Sequence, residues 1–401
     1  MKRNVLALLL AAVMVLGLFA GCGNEKPAET TAAATEAAAV TEAPTEAAAE
    51  AATEAPTEAA EPQMVETLYN PAFSIEKLGN GIKKVIDGDK RELILVPREL
   101  EEVPAEYADS IVIRTPVERA VFMSDTQVCS FRDADQAVID SIAGISGTKE
   151  NFVGFTALEK AFDDGKVVSV GGGMGDPDYE LLQSLDPDIV FVYTGEYGQS
   201  SIIEKLNELG INYAVDNEYL EGNYMARMEW NRFLLTFFNA DDAVDAQMQE
   251  AQKTIDTVKK AIEGLEQPKV AIFSVYDGQV NGTSDTSWLG TMLKDMGGVN
   301  AFADVPAGPL TMEAAFEAVQ DADVIIYSST PMWCAGMPAV LENFPLLTDC
   351  EAYESGRVYQ YADSFWVSID QSHVMAEDLA SIIYPDAGLD AELSYFVKLE
   401  K

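Results

Sequence analysis

The sequence predicts an α/β protein of two lobes joined by a single long helix and preceded by a small β-element. Three observations predict it. Short, near-continuous apolar runs alternate with stretches of helical spacing, as parallel strands covered on both faces require. The alternation runs through one set, stops, and then restarts. Between the sets, from about Ala226 to Leu265, lies a proline-free stretch whose only glycine is Gly264.

Taken in order, residues 1–22 stand apart from the fold. Lys2 and Arg3 precede an apolar run from Val5 to Ala20 that ends on the small residues Ala20 and Gly21, the layout of a secretory signal. A transmembrane helix needs about 20 apolar residues, and this run is shorter and is followed by Cys22 instead of a basic flank. Leu18-Phe19-Ala20-Gly21-Cys22 resembles a bacterial lipobox, with Phe19 where leucine is usual. That resemblance implies acylation of Cys22 and an anchor in the outer face of the cell membrane. Two acyl chains, at about 0.8 kcal/mol per buried CH₂, hold where one binds only marginally. An ordinary signal peptide with an incidental cysteine is the alternative.

Residues 23–63 shift to Ala, Thr, Glu and Pro, in repeats such as Thr41-Glu42-Ala43-Pro44 and Thr53-Glu54-Ala55-Pro56. Such a segment has almost nothing to bury and cannot offset the entropy of ordering its backbone. A disordered, extended tether is expected. Ala and Glu would also suit a helical stalk, but Pro44 and Pro56 break one.

The chain carries a formal charge of −41, and −35 of it falls on residues 64–401. Nucleic acid as a partner is excluded, because its backbone needs a basic footprint. Cys129, Cys334 and Cys350 are widely spaced with no CxxC, and are expected as buried thiols more than as a disulfide.

Residues 64–118 hold extended patterns at Phe73–Glu76, Ile82–Ile86 and Glu92–Pro97, with Asn80-Gly81 as a hairpin signal between the first two. In the first lobe, 119–225, strand-like runs at 120–123, 167–170 and 188–193 alternate with helical patterns at 176–185 and 201–209. The second lobe, 267–401, repeats this with runs at 269–275, 324–327 and 357–361 and helical patterns at 288–296 and 312–319. Both lobes therefore read as Rossmann-like. In the linker, 226–266, Val244, Met248, Ala251, Ile255, Val258 and Ile262 recur every three or four residues.

The most specific segment is Val167-Val168-Ser169-Val170-Gly171-Gly172-Gly173, then Pro177-Asp178-Tyr179-Glu180, then Leu185-Asp186-Pro187-Asp188-Ile189-Val190. With Trp288-Leu289-Gly290, Gly297-Gly298-Val299-Asn300, Asp321-Ala322-Asp323-Val324 and Gly356-Arg357-Val358-Tyr359, it resembles the periplasmic iron-complex and cobalamin binding-protein family over about residues 65–400. These are ABC-importer receptors whose lobes are bridged by one long helix. The resemblance implies a monomeric solute carrier for an iron chelate (siderophore or haem) or a corrinoid, which needs no cofactor of its own. It also implies a permease dimer with its ATPase as partner, met through one acidic residue per lobe. Glu180 matches the first-lobe position. Thr291 stands where the family has a glutamate in the second lobe, and Asp295 or Glu313 could substitute.

Ligands of open α/β sheets sit at the carboxyl ends of strands. The loops to watch are 124–131, 171–176 and 193–197 in one lobe and 276–288, 328–333 and 363–366 in the other. Ser124, Gln127, Phe131, Tyr193, Tyr197, Tyr219, Trp288, Trp333, Phe365 and Trp366 are the candidates, since flat ligands favour aromatic walls with a few polar groups. For each aromatic the alternative is lobe core, and Trp230 reads as core. Arg227 could meet an anionic chelate or form an internal ion pair; Arg227-Met228-Glu229-Trp230 also resembles a family run. Arg132 and Arg232 carry the same two readings.

His373 is the only histidine, so a naked transition-metal site is not expected. Gly171-Gly172-Gly173-Met174-Gly175-Asp176 has Asp where GxGxxG needs its last glycine, and no P-loop follows. A surface hydrolase or reductase is the rival from another class, without GxSxG or CxxC to support it. A sensor or adhesin on the same fold is the third reading.

Overall fold

The computed structural model describes residues 62–401, apart from 174, 306–307 and 390–391. The signal segment, Cys22 and nearly all of the tether lie outside the described residues. Among the described residues the strands form three sheets.

The first sheet has the order β1 (Gln63–Met64), β2 (Ser74–Gly79), β3 (Ile82–Ile86), β4 (Glu92–Pro97) and β5 (Ile111–Thr115). Asn80 and Gly81 both take positive φ, 51° and 75°, which is what the tight β2–β3 turn demands. The loop after β3 docks on the first lobe: the Gly88 amide donates to the Val215 carbonyl at 2.9 Å, and Asp87 accepts the Val215 amide at 3.1 Å.

The first lobe is built on an all-parallel sheet with β6 (Ala120–Phe122), β7 (Ile142–Ile145), β8 (Val168–Ser169), β9 (Ile189–Val192) and β10 (Tyr213–Val215) in the order β10-β9-β6-β7-β8. Asp186 takes φ 48° before Pro187. Asp188 Oδ2 then accepts the Glu118 and Arg119 amides at 2.8 and 3.1 Å, holding the start of β6 beside β9.

The second lobe runs β11 (Lys269–Tyr276), β12 (Gln279–Gly282), β13 (Val299–Asn300), β14 (Val324–Tyr327), β15 (Val358–Tyr361) and β16 (Phe396–Lys398). Its sheet order is β12-β11-β14-β15-β16, with β13 also on β11. β11, β14 and β15 are parallel; β14 and β15 are buried throughout and β11 is buried over Val270–Phe273.

The connection between the lobes is helical but not one helix. Tyr224–Thr236 and Val244–Ala261 are separate, with a 3₁₀ turn at Asp241–Ala243 between them. The reason is local packing. Phe237 and Phe238 turn into the first lobe, their rings 5.1 Å from Phe191 and 5.0 Å from Phe131, and Asn239 adopts φ 53° to let the chain reverse. All thirteen residues of Tyr224–Thr236 are buried, because lobes and extension enclose it. Several of its polar groups are matched: Glu229 accepts the Leu68 and Tyr69 amides at 2.8 and 2.9 Å, Asn231 accepts the Ser130 hydroxyl at 2.6 Å, and Arg232 pairs with Asp245, while Asn231 Nδ2, Arg232 Nε and the Thr236 hydroxyl are buried without a partner among the described residues.

One apolar core runs from the extension (Phe73, Ile75) through both lobes (Phe122, Phe191, Val270, Leu379) by way of that helix. Direct ties across the lobes add to it. Arg132 donates to Asp370 at 2.9 Å and to the Val367 carbonyl at 2.7 Å, and the Thr291 hydroxyl donates to the Gly222 carbonyl at 2.8 Å.

Candidate ligand-binding cleft

The carboxyl ends of the parallel strands of both lobes open on a shared cleft. Its larger chamber encloses about 350 Å³, lined by 123–126, Ser146, Gly147, Asn151, Gly173 and Tyr193 from the first lobe and by Thr330, Met332, Trp333, Asp363, Trp366 and Val367 from the second. An adjoining chamber of about 280 Å³ shares Ser124, Thr126, Tyr193 and Trp366 and adds Gln127, Tyr197, Asp216, Glu218, Tyr219 and Arg227. Together they form one groove with walls from both lobes.

Each wall has a local cause. β6 ends at Phe122, so Ser124 to Thr126 emerge at the sheet edge. Asp125 lies so close to Gly147 that a Cβ there would fall 2.2 Å from its Oδ1, and a larger residue would have to push that carboxylate aside. Burial pushes the Asp125 carboxyl above its usual range, tempered by the Ser146 hydroxyl and the Gly147 amide. Ser124 and Thr126 share a hydroxyl hydrogen bond at 2.8 Å. Thr126 donates onward to Glu218 at 2.7 Å, and Glu218 is ion-paired with Arg227. The Arg227 guanidinium lies 4.6 Å over the Trp288 ring, so this chain of contacts runs from the cleft surface to the second lobe.

The aromatic candidates divide. Tyr193 lines both chambers with its ring 5.6 Å from Tyr219; Tyr197, 77% exposed, and Trp333, 82% exposed, stand at the rims. Trp366 is partly exposed between the chambers and edge-packed on Phe365 at 5.2 Å. Phe131 and Phe365 do not reach the cleft. Phe131 is packed against Phe122 and Phe238, and Phe365 is stacked 3.7 Å from Tyr361, in each case because an apolar core is the nearer partner. Trp288 begins the helix Trp288–Asp295 and faces Arg227 and Phe365, outside both chambers. The segment 276–288 makes the β11–β12 turn, β12 and the lead into the helix Trp288–Asp295, and lines neither chamber.

Sequence reasoning missed several lining residues. Ser146, Gly147 and Asn151 follow β7, an Ile-Ala-Gly-Ile strand whose glycine reads as a breaker. There Gly144 is a packing requirement, since a Cβ would meet Val170 Cγ1 at 2.9 Å. Asp216 and Glu218 follow the short β10, and the signal that could have found them is the pair of acidic residues closing a Tyr-Ala-Val run.

Charge in the groove is one-sided. Arg227 is the only basic side chain among the described residues lining the two chambers, and it is taken by Glu218. Asp216 is 1% exposed. Its carboxyl is driven well above the usual carboxylate range by burial and then by the Glu218 charge, with the Glu218 amide, Arg227 and the Gln127 amide in partial opposition. No hydrogen bond of good geometry reaches Asp216 Oδ2 or the Gln127 amide atoms. Among the described residues no cluster of three or more His, Cys, Asp or Glu could hold a metal ion. His373 lies on the helix Ser372–Ile383, away from both chambers.

Glu180 is exposed in the first turn of the helix Tyr179–Ser184, which Asp178 caps through the Leu181 amide at 2.9 Å. Thr291 is half-buried, with its hydroxyl engaged by Gly222. Asp295 is held by Lys259 at 2.9 Å. Glu313 is exposed in the first turn of Met312–Val319. Cys129, Cys334 and Cys350 are buried and free, and no helix among the described residues is long and apolar enough to cross a membrane.

Comparison with known proteins adds to this geometry. An uncharacterized lipoprotein of Methanocaldococcus jannaschii is 26% identical over 337 residues, 79% of this chain and 78% of its own. A periplasmic haem-binding protein of Pseudomonas aeruginosa superposes with a TM-score of 0.56 at 17% identity, covering 71% of this chain and 99% of its own. The petrobactin-binding protein YclQ of Bacillus subtilis gives 0.53 at 17%, covering 67% and 92%. These structural likenesses bear on the two-lobed fold alone. Residues 134–364 match the periplasmic binding protein family, and with strand ends of two α/β lobes facing one groove, the chain belongs to that family of solute-binding proteins, which are not enzymes.

Proposed function

We propose that this chain is the extracytoplasmic receptor of an ABC importer, held to the outer face of the membrane through a lipid on Cys22. It captures an iron chelate, siderophore or haem, or a corrinoid between its lobes and presents it to a permease dimer with its ATPase. The observation that carries this reading is the two-chambered groove, which Tyr193 lines from one lobe and Trp333 and Trp366 from the other, a lining that suits a flat ligand. A lipoprotein among the relatives supports the anchor, and the haem- and petrobactin-binding proteins of like fold support a chelate as cargo.

Docking on the permease rests on an exposed acid from each lobe. Glu180 serves the first, and Glu313 suits the second better than Thr291, whose hydroxyl is already bonded across the lobes. Native mass spectrometry of the protein purified from rich medium, with tryptophan fluorescence titration, tests the reading. A bound chelate or corrinoid, with quenching abolished in Trp333→Ala and Trp366→Ala, is the expected result. A protein that arrives empty and quenches with no member of either class would refute it.

A further inference from the structure

We infer that the groove selects chelates of zero or positive net charge and rejects polyanionic ones; this rests on the receptor reading and narrows it. The argument begins with the side chains that a bound ligand would meet. Asp125, Asp216, Glu218 and Asp363 line the two chambers, against one cation, Arg227. Arg227 is only 3% exposed, ion-paired with Glu218 and stacked on Trp288, so among the described lining residues no positive charge is left to receive a catecholate or a propionate.

Asp216 and Gln127, each 1% exposed, line the inner chamber beside one another, and neither Asp216 Oδ2 nor the Gln127 amide atoms has a hydrogen bond of good geometry among the described residues. A buried polar group in that state costs stability until something satisfies it. A ligand ammonium, amide N–H or hydroxyl would do so whether Asp216 is ionised or protonated, because a protonated carboxyl still has an accepting oxygen. A ligand carboxylate or catecholate would not satisfy an ionised Asp216. At the outer rim, Asp363 accepts the Met332 amide at 3.0 Å, and a carboxylate has capacity for further donors. The charge of −41 on the whole chain works in the same direction during encounter, by repelling polyanions. The class that fits is therefore a chelate with a flat or apolar body for Tyr193, Trp333 and Trp366 and a periphery of ammonium, amide or hydroxyl donors.

The test measures fluorescence titrations of the purified protein with four probes: ferrioxamine B (a singly cationic ferric trihydroxamate), cyanocobalamin (neutral), haem, and a triply anionic ferric triscatecholate. A unit charge met within several ångströms in a partly desolvated groove changes affinity on the order of tenfold or more. Ferrioxamine B or cyanocobalamin should therefore bind at least about tenfold tighter than the triscatecholate. Raising the salt should narrow that ratio. Asp363→Lys should move it by about tenfold toward the anion. Haem or the triscatecholate binding as tightly as the uncharged and cationic probes would overturn the charge selection while leaving the receptor intact. A ratio unmoved by Asp363→Lys would overturn its electrostatic origin. Silence toward all four probes would sink the receptor reading and this inference with it.

Discussion

Arg227 is the residue whose removal the structure prices most clearly. Its side chain is 3% exposed and that of Glu218 is 4%, so Arg227→Met strips the charge from a buried pair while its methylene stem is largely replaced. Breaking a buried pair by removing one partner costs about 3–5 kcal/mol. Here Glu218 would be left beside Asp216, whose amide and carboxyl contacts already join them: the Glu218 amide donates to Asp216 Oδ1 at 3.1 Å. Loss of the guanidinium from above Trp288 adds up to about 2 kcal/mol where the pair is desolvated. Urea unfolding followed by circular dichroism, on Arg227→Met, Glu218→Gln and the double variant, measures this. Each single change should lose about 3–5 kcal/mol at neutral pH. The double variant should recover part of that, giving a coupling of about 2–3 kcal/mol. The Arg227→Met deficit should shrink as pH falls, because Asp216, whose carboxyl burial already drives well above the usual range, is then neutral beside Glu218. A single-variant cost below about 1 kcal/mol, or simple additivity, would refute the assignment of this pair as a buried, mutually neutralising unit.

Three further predictions follow from the same packing. Asp216 has a folded-state pKa above its unfolded value, so the stability linked to it is complete below the unfolded pKa of about 3.9 and is lost as pH rises through the folded value. Asp216→Asn should therefore be more stable than the parent at neutral pH and no more stable at pH 3, read from urea midpoints; a destabilised variant at neutral pH would contradict this. Burial raises the thiol pKa of Cys129, Cys334 and Cys350, the last to about 12, so iodoacetamide at pH 8 should leave all three unlabelled in the folded protein and label them in urea; labelling of Cys129 in the native state would be the contrary result. The single core through Tyr224–Thr236 and the Arg132–Asp370 tie favour a small closure on ligand binding, and small-angle scattering that reports lobe rotation of tens of degrees would contradict it.

The local chemistry of the chain set its class and most of its elements. β3, β4 and β14 run over the residues expected from β-branched apolar runs, and the Asn80-Gly81 turn has the positive φ angles its composition demands. The two α/β halves were legible because parallel strands buried on both faces leave long apolar runs. Short elements were not: β7, β10 and β16 are three or four residues each, too short for periodicity to rise above chance, and Gly144 disguised one of them.

Tertiary structure decided the rest. Nothing local distinguishes Phe237 and Phe238, where the inter-lobe helix stops, from the apolar positions before them; only the aromatic pocket in the first lobe ends it there. The same holds for Phe131 and Phe365 against Tyr193 and Trp366, since whether a ring meets core or cleft depends on what lies across from it. Arg227 could be read as an anion receptor until the fold brought Glu218 and Trp288 onto it from residues nine before and sixty-one after in the chain. Composition and periodicity act within a few residues of each other, whereas the sign of charge in a groove is a sum over loops that meet only when the lobes are assembled.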